Sequence, residues 1–287
     1  MAITAQDLPA INKKLENATP QQILEFSIDN IEGLFQTTAF GLTGTIAVDM
    51  ISKISKARDQ KHAIDLIFLD TLYHFQETID LAKRVEENYN AKLHIYIPNG
   101  VNNVNQFEAI YGSELWKTDE DMYDYAVKVE PARRAYDELN VKAVITGRRR
   151  SQGGERSSIP AIEIDETGLI KVNPLASWSF NEVKDYADKN EVPYNSLLDK
   201  GYKSVGDWHS TAPPKTVDGK VSTNDADERS GRWADKGANK SECGLHKDFF
   251  VMKRAFEKRK REMELARKDK QVDELNNGLS SVQVSQQ

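Results

Sequence analysis

The sequence predicts an α/β fold built on a doubly wound, mostly parallel sheet, and three observations carry that expectation. Short apolar runs alternate with helical patterns along the first half of the chain, the spacing between runs suits βαβ crossovers, and several runs end in glycine, hydroxyl or arginine residues. The runs are Leu34 to Phe40, Ile64 to Leu69, Leu93 to Ile97 and Val141 to Thr146. Helical spacing follows the first through Ala47, Met50, Ile51 and Ile54, and the second across 76–89. A longer helical region with loops covers 104–139. Ala161 to Asp165 and Leu169 to Val172, around Glu166-Thr167-Gly168, predict a hairpin. Thr19-Pro20-Gln21-Gln22 and Ser179-Phe180-Asn181-Glu182 each open a helix with a capping pattern.

The organisation expected is a helical extension over 1–31, an α/β core over 32–205, a loop-rich segment over 206–246, and a charged helical tail over 247–287 whose Ser/Gln/Asn-rich end, from Asn276, is expected to be unstructured. The 287 residues carry a formal net charge of −6 and one cysteine. A single cysteine excludes an internal disulfide, a cysteine-ligated zinc finger and a four-thiolate iron–sulfur cluster. No stretch suits a transmembrane helix, and Met1 to Pro20 lacks the apolar block of a signal peptide, so a cytoplasmic protein with no membrane partner is expected.

In open α/β sheets ligands sit beyond the carboxyl ends of the strands. There the sequence places Thr37-Thr38-Ala39-Phe40-Gly41-Leu42-Thr43-Gly44, Asp70-Thr71 and Gly147-Arg148-Arg149-Arg150. The first is a glycine-rich strand-to-helix turn, but neither a Walker A loop nor a dinucleotide fingerprint. By itself it fits a phosphate cradle and a plain tight turn equally well. Arg148, Arg149, Arg150 and Arg156 form a basic run, and Arg229, Arg232 and Lys240 a second one. In an acidic chain two such loops favour a local pocket for a small polyanion over a polymeric nucleic acid. Cys243 lies in Lys240-Ser241-Glu242-Cys243-Gly244-Leu245-His246. A lone cysteine is commonly a buried small hydrophobe, yet cationic neighbours and an adjacent glycine favour a reactive thiolate. His62, His74, His94 and His209 need no catalytic explanation on this basis.

These segments, with Leu69-Asp70-Thr71, Lys128-Val129-Glu130-Pro131, Thr146-Gly147-Arg148-Arg149 and Glu242-Cys243-Gly244-Leu245-His246, occur in the order seen in phosphoadenylyl-sulfate (PAPS) reductases of the thioredoxin-dependent, fungal type, which the chain resembles over about residues 20–246. The resemblance implies an adenine-nucleotide α-hydrolase-like fold with a modified PP-loop at 37–44, and reduction of PAPS to sulfite in sulfate assimilation. It implies Cys243 and His246 as catalytic residues. Thr38, Gly41, Thr43, Gly44, Asp70, Thr71, Lys128, Gly147, Arg148, Arg149, Arg156, Arg229 and Arg232 are the expected substrate-binding set. Thioredoxin is the implied external reductant, and a homodimer the implied assembly. Relatives acting on adenylyl sulfate hold a [4Fe–4S] cluster on a Cys-Cys pair and a later Cys-x-x-Cys. Here Tyr123-Asp124 and Asp207 with Ser210 stand in those places, so no cluster or other cofactor is expected. A cluster-free adenylyl-sulfate reductase and a non-catalytic nucleotide-binding regulator are the alternatives.

Overall fold

The computed structural model describes residues 3–213, 216–217, 220–221, 228, 231–232 and 244–284. Its centre is a six-stranded sheet in the order β3-β2-β1-β4-β6-β5, with β1 Leu34–Thr38, β2 Leu66–Leu69, β3 Leu93–Tyr96, β4 Ala143–Ile145, β5 Ile162–Ile164 and β6 Ile170–Val172. Every neighbouring pair is parallel except β5 against β6, the expected hairpin at the sheet edge.

Two-residue alternation explains how both faces are covered. In β2, Leu66 and Phe68 pack with Val48 of α3 (Leu42–Ala57) and with Leu81 and Val85 of α4 (Gln76–Tyr89). Ile67 and Leu69 pack on the opposite face with Ala132 and Ala135 of α8 (Glu130–Glu138). The capping boxes form as expected: Thr19 opens α2 (Pro20–Asn30) and Ser179 opens α9 (Phe180–Lys189). Leu24 of α2 joins Ile46, Ile51 and Val183 in the largest apolar cluster, so the N-terminal helices are part of the core.

The region 104–139 resolves into α5 Val104–Tyr111, α6 Leu115–Thr118, α7 Glu120–Asp124, a π-helical turn Tyr125–Val129, and α8. Pro131 has no N–H to give the preceding turn, and the widened π turn ends just before it, carrying Lys128.

Two elements depart from expectation. A short helix α1, Leu8–Lys14, precedes α2, and Asn12 on it clamps the sheet edge: its Nδ2 donates to Ile162 O at 2.8 Å and its Oδ1 accepts from Ile162 N at 3.0 Å. The side chain thus occupies the open pairing groups of an edge strand. At the other end α10 extends over Phe249–Val284, reaching into the run from Asn276 that was expected to be unstructured, while 285–287 lie outside the described residues. Helix propagation needs only one hydrogen bond per added residue, and no proline interrupts the segment. Met252 and Phe256 on its first turns pack against Tyr125 and Val129. Among the described residues no helix is long and apolar enough to cross a membrane.

Asn12→Ala should therefore lower unfolding free energy by about 1–3 kcal/mol, read as a shift in the urea midpoint at constant slope.

Candidate active site

Strand order reverses at β1, which has β2 on one side and β4 on the other. The carboxyl ends of β1 and β4 open a crevice there, and a cavity of about 280 Å3 fills it. Thr37, Thr38 and Ala39 from the β1 end, Thr146, Gly147 and Arg148 from the β4 end, and Lys128 from the π turn all face it.

The glycine-rich turn works by close approach. Thr38 Oγ1 accepts from Phe40 N at 2.9 Å, and Phe40 adopts φ 54° while almost fully buried. Only surrounding structure that over-determines the backbone holds a phenylalanine in that region. Gly41 is the N-cap of α3. A Cβ at Gly147 would lie 3.3 Å from Gly44 N, so the β4 loop and the start of α3 meet without side chains between them. Gly41, Thr43, Gly44 and Asp70 consequently shape the wall without facing the cavity. Asp70 Oδ1 accepts from Leu72 N and holds the turn after β2.

The arginines divide in the same way. Arg148 lines the cavity, pairs with Glu163 on the edge strand and donates to Asn173 Oδ1 at 3.1 Å. Arg156 lines it too and donates to Gln152 Oε1. Arg149 is fully buried and faces inward: it donates to Thr43 Oγ1 at 3.2 Å and Ser151 Oγ at 2.8 Å, and pairs with Glu228. It braces three loops. Arg232 lies against Gly206, where an added Cβ would overlap its guanidinium group. Arg229 and Cys243 lie outside the described residues. His246 is described only as backbone, ending the 3-10 turn Gly244–His246.

Sequence reasoning missed part of the lining. Arg133, Lys171 and Lys247 join Lys128, Arg148, Arg156 and Arg232, against the carboxylates of Asp165 and Asp207. A chain of net charge −6 thus gathers cations at one crevice, which focuses an attractive field on anions. His74, set aside in the sequence, also faces the cavity. Its Nε2 donates to Leu69 O at 3.0 Å, and its Nδ1, without a hydrogen-bond partner among the described residues, lies 3.9 Å from Asp207 Oδ1. Its position four residues past Asp70 was the one available signal. The other histidines keep bland roles: His62 bonds Ile64 O, and His94 pairs with Asp65.

Under the cavity lies a buried polar network. Asp207, 1% exposed, accepts from Thr71 Oγ1 at 2.6 Å, Tyr123 Oη at 3.1 Å and Lys128 Nζ at 2.7 Å. Lys128 Nζ also reaches Asp124 Oδ1 at 2.9 Å. Burial pushes the Asp207 carboxyl up, but Lys128, His74 and the Thr71 hydrogen bond outweigh it and hold the group well below the usual carboxylate range. Burial, then the Asp207 charge, raises the Tyr123 phenol, which stays protonated and donates. Ser210 Oγ bonds Asp207 O at 3.2 Å. Tyr123, Asp124, Asp207 and Ser210 are the four positions set against cysteines in the resemblance, and they converge in space.

Two outcomes follow from this geometry. Gly206→Ala should displace the Arg232 guanidinium and weaken inorganic phosphate binding about tenfold, measured by calorimetry. Asp207→Asn should cost about 3 kcal/mol of stability at neutral pH. Because the native carboxyl is depressed, that gap should be full above about pH 4 and close as pH falls below it, in denaturation curves against pH.

The phosphoadenosine phosphosulfate reductase domain family matches residues 33–213. A phosphoadenosine phosphosulfate reductase of Emericella nidulans is 51% identical over 86% of this chain and 77% of its own length. That of Saccharomyces cerevisiae is 48% identical over 85% and 91%. The crystal structure of a PAPS reductase from Candida auris, a phosphate complex, superposes with a TM-score of 0.67 at 47% identity, covering 74% of this chain and 99% of that one. A Candida glabrata FMN adenylyltransferase in complex with ATP, 14% identical with a TM-score of 0.53, shares the fold alone. With its cationic crevice at the sheet's switch point and these relatives on either side of half identity, the chain belongs to the phosphoadenosine phosphosulfate reductase family.

Proposed function

We propose that this chain reduces 3′-phosphoadenylyl sulfate to sulfite and adenosine 3′,5′-bisphosphate, through an S-sulfonate on Cys243 and with thioredoxin as external dithiol. The observation that carries the proposal is the cation-lined cavity at the β1/β4 crevice of an otherwise acidic chain, since the substrate bears a sulfate and two phosphates.

Thr38 and Gly147 present the strand ends to the nucleotide. Lys128, Arg148, Arg156 and Arg232 neutralise phosphate and sulfate oxygens. Thr71 faces the cavity beside them, and Gly41, Thr43, Gly44, Asp70 and Arg149 hold the walls on which those groups stand. Arg229 and His246 are assigned to the sulfate side on the strength of the motifs that carry them.

The chemistry balances without a cofactor. The Cys243 thiolate attacks sulfur, a bond forms between the two sulfur atoms, and the bond from sulfur to the phosphate oxygen breaks. The nucleotide phosphate leaves with that electron pair. The obstacle is bringing an anionic nucleophile to an anionic centre, and fixed cations around the sulfate lower it. One cysteine cannot resolve its own S-sulfonate by an internal disulfide. A thiolate of thioredoxin attacks the Cys243 sulfur and expels sulfite; its second thiol closes the partner's disulfide and returns Cys243 as a thiol. The two electrons come from thioredoxin.

Cys243→Ser should abolish sulfite release with PAPS and thioredoxin while adenosine 3′,5′-bisphosphate still binds. The unsubstituted chain, mixed with PAPS without reductant, should gain the mass of one sulfonate. Turnover persisting in the serine variant would overturn the covalent route, and faster turnover on adenylyl sulfate than on PAPS would overturn the substrate assignment.

A further inference from the structure

One carboxylate behind the cavity serves two of its walls. Asp124 is 1% exposed and does not itself face the cavity. Its Oδ1 receives Lys128 Nζ at 2.9 Å, and its Oδ2 receives the backbone N–H of Gly244 at 3.2 Å. Lys128 and Gly244 both line the cavity. The contact leaves no space: a Cβ on Gly244 would lie 2.9 Å from Asp124 Cβ, 2.9 Å from Met252 Cε and 3.2 Å from Val129 Cγ2. Lys128 passes the connection on to Asp207 at 2.7 Å, and Asp207 to Thr71 at 2.6 Å. Two further contacts moor the same stretch, Lys247 Nζ to Asp121 Oδ1 at 2.7 Å and Phe249 N to Glu166 Oε1 at 2.8 Å.

We propose that Asp124 is a positioning residue that ties the backbone N–H of Gly244, the residue that follows Cys243 in sequence, to the ammonium of Lys128. The inference deepens the function proposed above and rests on it for the role of Cys243. A buried ion pair is weak evidence of a stabilising device, since apolar residues of similar volume stabilise as well. What it supplies is geometry. The two oxygens of one rigid group set the distance between a cation at the wall and the backbone N–H of Gly244. A misplacement of about 1 Å between reacting groups costs on the order of a hundredfold in rate.

The test is a double-mutant cycle between Asp124→Asn and Gly244→Ala, the second of which pushes the backbone off an intact carboxylate. Two readouts are taken: kcat and KM for PAPS with thioredoxin, and the rate at which iodoacetamide alkylates Cys243, the chain's one thiol. Each single variant should lower kcat about ten- to a hundredfold with little change in KM, and the double variant should fall no further than the worse single. The alkylation rate should change by one common factor in all three. Losses that multiply, a raised KM at unchanged kcat, or alkylation rates equal to that of the unsubstituted chain overturn the proposal. Should Asp124→Asn fail to fold, Gly244→Ala decides alone, and unchanged kcat and alkylation there overturn it. An unsubstituted chain inactive on PAPS would sink the proposed function, while the alkylation cycle would still decide whether Asp124 positions the thiol's neighbour.

Discussion

A half-buried ammonium shared between two carboxylates ties together two distant stretches of the chain at the floor of the cavity. Lys128 comes from a π turn, Asp124 from the helix before it, and Asp207 from a loop more than 70 residues further on. Burying these charges is costly, and the cost is offset only when each oxygen has a donor. Thr71 and Tyr123 supply the remaining donors to Asp207, and Gly244 supplies one to Asp124. The turn after β2, the π turn and the start of the C-terminal segment are therefore not independently movable.

The crevice above this floor is a consequence of topology. A sheet whose order reverses at β1 must splay its connections to opposite sides, leaving the ends of β1 and β4 uncovered. Glycines then permit the two loops to touch. Gly147 fits against the start of α3 so closely that a methyl group would press on the Gly44 backbone, and at Gly206 a methyl group would displace the Arg232 guanidinium. Arg149 illustrates the division of labour. It belongs to the basic run that suggests anion binding, yet it is spent on Thr43, Ser151 and Glu228 and holds the loops in place.

Much of the frame was legible. Short apolar runs located β1 to β6 to within a few positions, and the capping boxes at Thr19 and Ser179 formed as their patterns predict. The site was legible only as a neighbourhood. Thr38, Thr71, Lys128, Gly147, Arg148, Arg156 and Arg232 meet at one cavity, whereas Gly41, Thr43, Gly44, Asp70 and Arg149 stand behind its wall. Arg133 and Lys171 were invisible as site residues, because each sits in a stretch whose local pattern is ordinary helix or strand. The Asn12 clamp escaped for a related reason: composition speaks to average tendency, while one side-chain amide on an edge strand is a particular contact.

The amino-acid sequence by itself determined the α/β class, the positions of the strands, the placing of glycines and arginines after strands, and the confinement of thiol chemistry to Cys243, since all of these follow from periodicity, residue type or count. Only the tertiary structure decided which charges face outward to a ligand and which are consumed inside. That choice depends on what lies opposite each side chain across the fold. Arg149 is paired inside with Glu228, whereas Lys128 reaches the cavity while lying within 3 Å of both Asp124 and Asp207, and no local pattern encodes either meeting.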